Sequence, residues 1–209
     1  MGYVLYGDRR SGSCIIELAL AEIGAEAELR PVPLDRDAQL ASDYRRLNPM
    51  GRVPTLLLPD GTVVTESTAI LLALEARHPG AGLLPPGDDP GRAVALRWMM
   101  LAASEIYPCV TRADYPERFG DDAPSIRARA VGMARETWRI IEAEARPDPF
   151  LLGQRLTLAD LHLAVLSRWM GNEAEWMPAH CPRVQSLARA VATRPRLAAA
   201  WGRHFAVPA

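Results

Sequence analysis

Apolar residues along the chain follow two periods in its first third and one period after it. Tyr3 to Tyr6 is a short apolar run and reads as a buried strand. The polar loop Gly7 to Gly12, G-D-R-R-S-G, follows. Cys14, Ile15, Leu18, Ala19 and Ile23 then recur at helical spacing, and Gly24 is a natural residue just past a helix end. From Ala27 to Val32, Ala27 and Leu29 alternate with Glu28 and Arg30, the pattern of a half-buried strand. Pro31 and Pro33 place that strand at a sheet edge. Strand, helix and strand at this spacing form a βαβ unit with a right-handed crossover. Residues 37–47 hold a short helix. Pro54 opens an apolar strand, Thr55 to Leu58, and Asp60-Gly61 supplies the positive-φ turn of a tight hairpin. Thr62 to Thr65 returns, rich in β-branched residues. Glu66-Ser67 breaks the strand. Ile70, Leu71 and Leu74 take up a helical period that stops at His78-Pro79-Gly80, with Ser67 at the N-cap.

Residues 78–91, H-P-G-A-G-L-L-P-P-G-D-D-P-G, form a Pro/Gly-rich linker at a domain boundary. No strand pattern appears beyond it. Arg92 to about Val110 reads as a helix built on Val94, Leu96, Trp98, Leu101 and Ile106, which Pro108 should kink or end. Tyr115 to Pro124 is loop. Ser125 caps a helix reaching Arg146, with Ile126, Ala130, Met133, Ile140 and Ile141 inward, and Pro147 and Pro149 end it. Leu156 to Met170 is apolar on nearly every side, as expected of the buried centre of a bundle. Thr157 and Asp160 stand three apart at its start as an N-terminal capping pair, and His162 behind them reads as a core or rim histidine. Helices over 182–193 and 195–205 follow, with Trp201 and Phe205 as core candidates.

Composition narrows the chemistry. The 209 residues suffice for one large domain or two small ones, and 49% of them are hydrophobic. All 24 basic residues are arginine, so neither a lysine Schiff base nor a P-loop is available. Their balance against 25 acidic residues argues against a nucleic-acid binder. The three cysteines, Cys14, Cys109 and Cys181, are odd in number and far apart, which suits a reducing compartment better than a disulfide framework. No signal-peptide pattern, no membrane-length apolar run and no metal-ligand spacing of the four histidines is present. His180-Cys181 reads as loop. The expected setting is cytoplasmic.

The stretch Asn48 to Ile70 offers two recognition devices. Val53, before Pro54, presents backbone at the mouth of a sheet. The helix start at Ser67 has free N–H groups that can hold an anion. A ligand needing both is an extended peptide with a carboxylate at one end. Val53-Pro54, a hairpin and Glu66-Ser67 at this spacing resemble the glutathione site of the cytosolic glutathione transferase superfamily. The Thr-x-x-Asp pair at 157–160 resembles the capping box of that family's buried helix. The resemblance spans the chain. It implies a thioredoxin-like N-terminal domain (βαβ-ββα, residues 1–80), a linker over 81–91 and an all-helical C-terminal bundle over 92–209.

The resemblance also implies an activity: conjugation of the glutathione thiolate to a small apolar electrophile by a cytoplasmic homodimer, with glutathione as co-substrate and no metal. Alternatives on the same scaffold are a thiol reductase, peroxidase, dehalogenase or isomerase, or a binding protein without activity. In the family the proline after Val53 is cis and Val53 pairs with the peptide backbone. Glu66 and Ser67 hold the γ-glutamyl amine and carboxylate. Arg52 stands where the family often has lysine in N-P-x-G-K-V-P and is suited to the glycyl carboxylate. Free thiols have pKa ~8.5, so only ~3% is ionised at pH 7, and the site must stabilise the thiolate. Arg10-Ser11-Gly12-Ser13-Cys14 resembles the loop of serine-type members, in which Ser11 matches the donor. Cys14, Tyr6 and Ser13 are the alternatives. Tyr107, Arg112 and Tyr115 are expected near the second substrate.

Overall fold

The computed structural model describes residues 2–169 and 173–208. The chain forms two compact units, Met1–Leu83 with Ala192–Val207, and Leu84–Val191 with Pro208–Ala209. The first contains strands β1 (Tyr3–Gly7), β2 (Ala27–Pro31), β3 (Thr55–Leu57) and β4 (Val63–Thr65), in the order β2-β1-β3-β4. β1 and β2 run parallel; β1–β3 and β3–β4 are antiparallel. Helix α1 (Ser13–Ile23) makes the β1-to-β2 crossover and ends where Gly24 takes φ 76°, a left-handed conformation that only glycine adopts freely. Two 3₁₀ turns and α2 (Ser42–Leu47) lead to β3, and α3 (Ser67–Arg77) follows β4. This is the expected thioredoxin-like order. β2 does lie at the sheet edge, yet four of its five residues are exposed, Leu29 among them, so it is less buried than its alternation suggests.

Helix α10 (Ala198–Gly202) belongs to this first unit, although it lies far along the chain from the other elements there. It packs on α1 and buries Trp201 completely. Bidentate hydrogen bonds join Arg194 to Glu22 of α1, at 2.6 and 2.8 Å.

The second unit is helical: α4 (Pro90–Leu101), α5 (Tyr107–Asp114), α6 (Ala123–Glu144), α7 (Leu158–Leu166), α8 (Glu173–His180) and α9 (Pro182–Ala192). Several expectations change here. Of the two outcomes expected at Pro108, a kink or an end, the helix does not end. One π-helical stretch, Ala102–Ile106, carries α4 into α5 just before the proline, whose missing N–H and bulky ring disturb a regular α-helical ladder. The cap of α6 is Asp122, whose carboxylate accepts from Ser125 N, and not Ser125 itself. The buried stripe of α6 is Ala130, Ala134, Trp138 and Ile141, while Met133 and Ile140 are exposed. Each of those two stands one residue, or ~100° of helix, from the buried stripe. Helix α8 was not expected at all, and His180 closes it instead of lying in a loop. Met170, the expected end of the buried helix, lies outside the described residues.

All nine residues of α7 are buried, so this helix is the centre of its unit. Its capping box is present: the Asp160 carboxylate accepts from Thr157 N at 2.6 Å and from the Thr157 hydroxyl at 2.7 Å. The other carboxylate oxygen accepts from Leu151 N at 2.7 Å, tying the preceding turn to the helix start. No helix among the described residues is long and apolar enough to cross a membrane.

Candidate functional site

The strand register brings three of the candidate segments to one end of the sheet. Tyr6 pairs with Thr55, and Thr55 pairs with Thr65. The end of β1, the start of β3 and the end of β4 therefore share that end. From it leave the loop bearing Ser11, the Val53-Pro54 step and the Glu66-Ser67 step. The first and last of these strands are two strand spacings apart, ~10 Å. An extended tripeptide spans about the same length, ~10 Å.

The Val53–Pro54 bond is cis, as the resemblance implied. The loop before it is fixed by buried polar groups that the sequence pattern did not single out. The carbonyl of Arg52 accepts from the Tyr44 hydroxyl at 2.7 Å and from Asn48 Nδ2 at 2.8 Å. Thr55 Oγ1 joins both, at 2.8 Å from Tyr44 and 3.3 Å from Asn48. Asn48 is 2% exposed and Thr55 0%, so this network sets the approach of the chain to Val53 from inside the fold. The Arg52 side chain is exposed, and among the described residues no carboxylate pairs with it.

At the third segment the helix starts one residue earlier than expected. Ser67 is the first residue of α3, and Glu66 occupies the cap position without a side-chain cap bond. Glu66 takes φ 66°, a left-handed conformation that a non-glycine residue adopts only at a cost. Ser67 is 9% exposed, beside the N–H groups of the first turn, which have no intrahelical acceptor.

The four candidate donors are placed differently. The Ser11 hydroxyl donates to Asp8 O at 2.8 Å and accepts from the backbone N–H groups of Asp8 and Ser13, both at 3.3 Å. Ser13 Oγ also donates to Asp8 O, at 3.0 Å, and lies 3.0 Å from Ser11 Oγ. Ser11 is 7% exposed and Ser13 1%, so Ser11 is the more accessible. Ser13 occupies the space a Cβ at Gly7 would need, with its own Cβ only 2.1 Å from that position, so this strand end must be glycine. Cys14 is fully buried, and burial, then the charge of Glu17, push its thiol well above the usual range. The Tyr6 hydroxyl accepts from Arg30 Nη1 at 2.9 Å, with the ring against Tyr44. Because side chains alternate along a strand, Tyr6 projects to the face opposite Leu5.

A cavity of about 410 Å³ borders the same loop, lined by Gly7, Asp8, Arg9, Ser13, Leu29 and Pro31 among others. None of Val53, Glu66 or Ser67 lines it, so it is not the space between the three segments. The expected second-substrate residues lie in the helical unit, each in a contact of its own. Tyr107 packs edge-on against Trp169, Arg112 lies over the Phe119 ring, and Arg118 lies over Tyr115. Among the described residues no cluster of three His, Cys, Asp or Glu is placed to hold a metal ion.

Comparison with known proteins agrees with this fold. Residues 15–77 match the family described as glutathione S-transferase, N-terminal domain, and residues 136–201 match glutathione S-transferase, C-terminal domain. The uncharacterised GST-like protein YncG of Escherichia coli K12 is 30% identical over 195 residues, covering 92% of this chain and 94% of its own. The chain belongs to the glutathione S-transferase family. Further relatives are GstA of E. coli O157:H7, 32% identical over 77% of this chain and 79% of its own. A maleylacetoacetate isomerase of Pseudomonas aeruginosa is 29% identical over 74% of each chain. Among solved structures, a glutathione transferase homologue from Sulfitobacter with bound glutathione superposes with TM-score 0.87 at 26% identity, covering 95% of this transferase-family chain and 96% of that one.

Proposed function

We propose that the protein binds glutathione across the sheet end and transfers its thiolate to a small apolar electrophile. The observation that carries this reading is the convergence there of the Ser11 loop, Val53-Pro54 and Glu66-Ser67. Val53 pairs with the peptide backbone of glutathione. Ser67 and the first-turn N–H groups of α3 hold the γ-glutamyl carboxylate, Glu66 receives the amine, and Arg52 attracts the glycyl carboxylate. Ser11 turns its proton from the Asp8 carbonyl to the sulfur and stabilises the thiolate. The burial of Cys14 and of Ser13 and the engagement of Tyr6 by Arg30 favour Ser11 over its rivals. Exposed Met100, Met133 and Ile140 offer apolar surface for the homodimer this reading includes, which sedimentation checks.

The test is retention on immobilised glutathione, followed by a panel of electrophiles with free thiol monitored. Retention with thiol consumption supports the transferase. Failure to be retained, with thiol constant throughout, rejects it. A glutathione-dependent isomerase is the second reading, favoured by the Pseudomonas relative. It requires turnover of a cis-alkene diacid with glutathione unconsumed.

A further inference from the structure

We propose that His204, which follows α10, is a positioning residue that holds the Ser11 loop in its working conformation; this rests on the function proposed above. Its side chain is 2% exposed and joins two elements of the first unit. Arg10 N donates to His204 Nδ1 at 3.0 Å, and Nε2 lies 3.0 Å from Glu17 Oε1 of α1. A backbone N–H can only donate, so Nδ1 is bare and Nε2 carries the proton that Glu17 accepts. Glu17 is fixed in turn by Arg203, whose Nη2 donates to Oε2 at 2.8 Å. Burial pushes the Glu17 carboxyl up, but the hydrogen bonds from His204 and Arg203 outweigh it and keep the group below the usual range, ready to accept. The carbonyl of Arg203 accepts from Arg9 Nε at 2.8 Å. Two consecutive residues after α10 thus grip two consecutive residues of the loop.

The gripped residue needs holding. Arg10 takes φ 57°, which a residue with a side chain adopts only when its surroundings enforce it. Ser11 is next in the chain, and its hydroxyl direction follows from the Arg10 backbone. Without an acceptor at Nδ1 the Arg10 N–H would be a partly buried donor with no partner, and the loop would relax to satisfy it. No residue within the loop supplies that acceptor. It comes from 194 positions away.

Two isosteric substitutions separate the two ring nitrogens. His204→Asn places an amide oxygen near Nδ1 and keeps the Arg10 acceptor while losing Glu17. His204→Gln places its amide near Nε2 and reaches Glu17 while losing Arg10. The expected result is an Arg10 amide protected from hydrogen exchange in the parent and in His204→Asn, and exchanging at least ~10-fold faster in His204→Gln. With glutathione bound, the thiol pKa read by ultraviolet absorbance should rise by about one unit in His204→Gln alone. Its kcat should fall ~10-fold with KM near parental, because the Val53 and Ser67 contacts are intact. Equal Arg10 exchange in the two variants, or a parental thiol pKa and kcat in His204→Gln, overturns the proposal. So does a fall in kcat that merely tracks thermal stability in both. A parent that leaves bound glutathione at its ordinary thiol pKa rejects the transferase reading instead, and the ligand-free exchange comparison still decides whether His204 holds the loop.

Discussion

In the proposed site Ser11 would act through the sulfur of glutathione and Asn48 through the fold. A hydroxyl that donates to a thiolate and little to a thiol lowers the sulfur's pKa without adding much affinity. Ser11→Ala should therefore raise the pKa of bound glutathione by one to two units, ~1.4 kcal/mol each. Turnover at neutral pH should drop ~10–100-fold, partly recovered at higher pH. The thiolate absorbance of bound glutathione against pH, with Cys14→Ala as control, reads this directly. A parental titration in Ser11→Ala would remove Ser11 from the chemistry. Asn48→Ala takes donors from Arg52 O and Thr55 Oγ1 in a buried setting, at a cost of about 1–3 kcal/mol. Both the urea midpoint and glutathione affinity should fall. Lost stability with unchanged affinity would mean the loop keeps its shape without Asn48.

At the scale of elements, α7 shows what a helix start is worth. Thr157→Ala should cost ~0.5–2 kcal/mol, the usual value of a cap. Asp160→Ala should cost more, because it also strips the acceptor from Leu151 N. Denaturation midpoints in that order are the check; equal midpoints would deny the Leu151 tether. The same helix gives a pH dependence. Burial lowers the His162 pKa to about 4. The unfolded chain takes up that proton near pH 6.5. Stability is therefore full above pH ~6.5 and lost as pH falls toward ~4, on the order of 3 kcal/mol. Burial raises Asp160 to about 6 against the pull of its hydrogen bonds. Its contribution has the opposite sign, greatest below pH ~4 and fading as pH rises through about 6. His162→Leu should flatten the loss of stability on acidification. A slope matching the parent's would show that His162 is not held neutral.

Much of this level was legible in the chain: the βαβ-ββα order, the Gly24 stop, the hairpin and the Thr157–Asp160 pair are local patterns of period, turn and cap. What failed was non-local. Met133 and Ile140 are apolar and helically spaced, but which stripe of α6 faces inward depends on what it packs against. The continuation through Pro108 required a π turn that no residue type announces. In the candidate site, Val53, Glu66 and Ser67 could be singled out because a motif carries them. Gly7, Tyr44 and Glu17 could not, because their partners lie 6 to 187 positions away.

For the whole molecule, the decisive fact is that the first unit closes with residues from the far end of the sequence. Trp201 is fully buried in it, and Trp201→Ala should cost ~3–5 kcal/mol. Glutathione affinity should weaken with it, although Trp201 belongs to none of the three recognition segments. Calorimetric unfolding with and without glutathione checks both effects, and an unchanged midpoint would mean that α10 is dispensable. This closure also bears on biosynthesis. The ribosome delivers Met1–Leu83 first and must add residues 84–191 before the segment that completes that unit. At ~5–20 residues per second, the nascent sheet waits roughly 5–20 s with the α1 surface that Trp201 will cover still open to solvent. The helical unit, second in order of synthesis, has nearly all of its residues in hand before the first can finish folding.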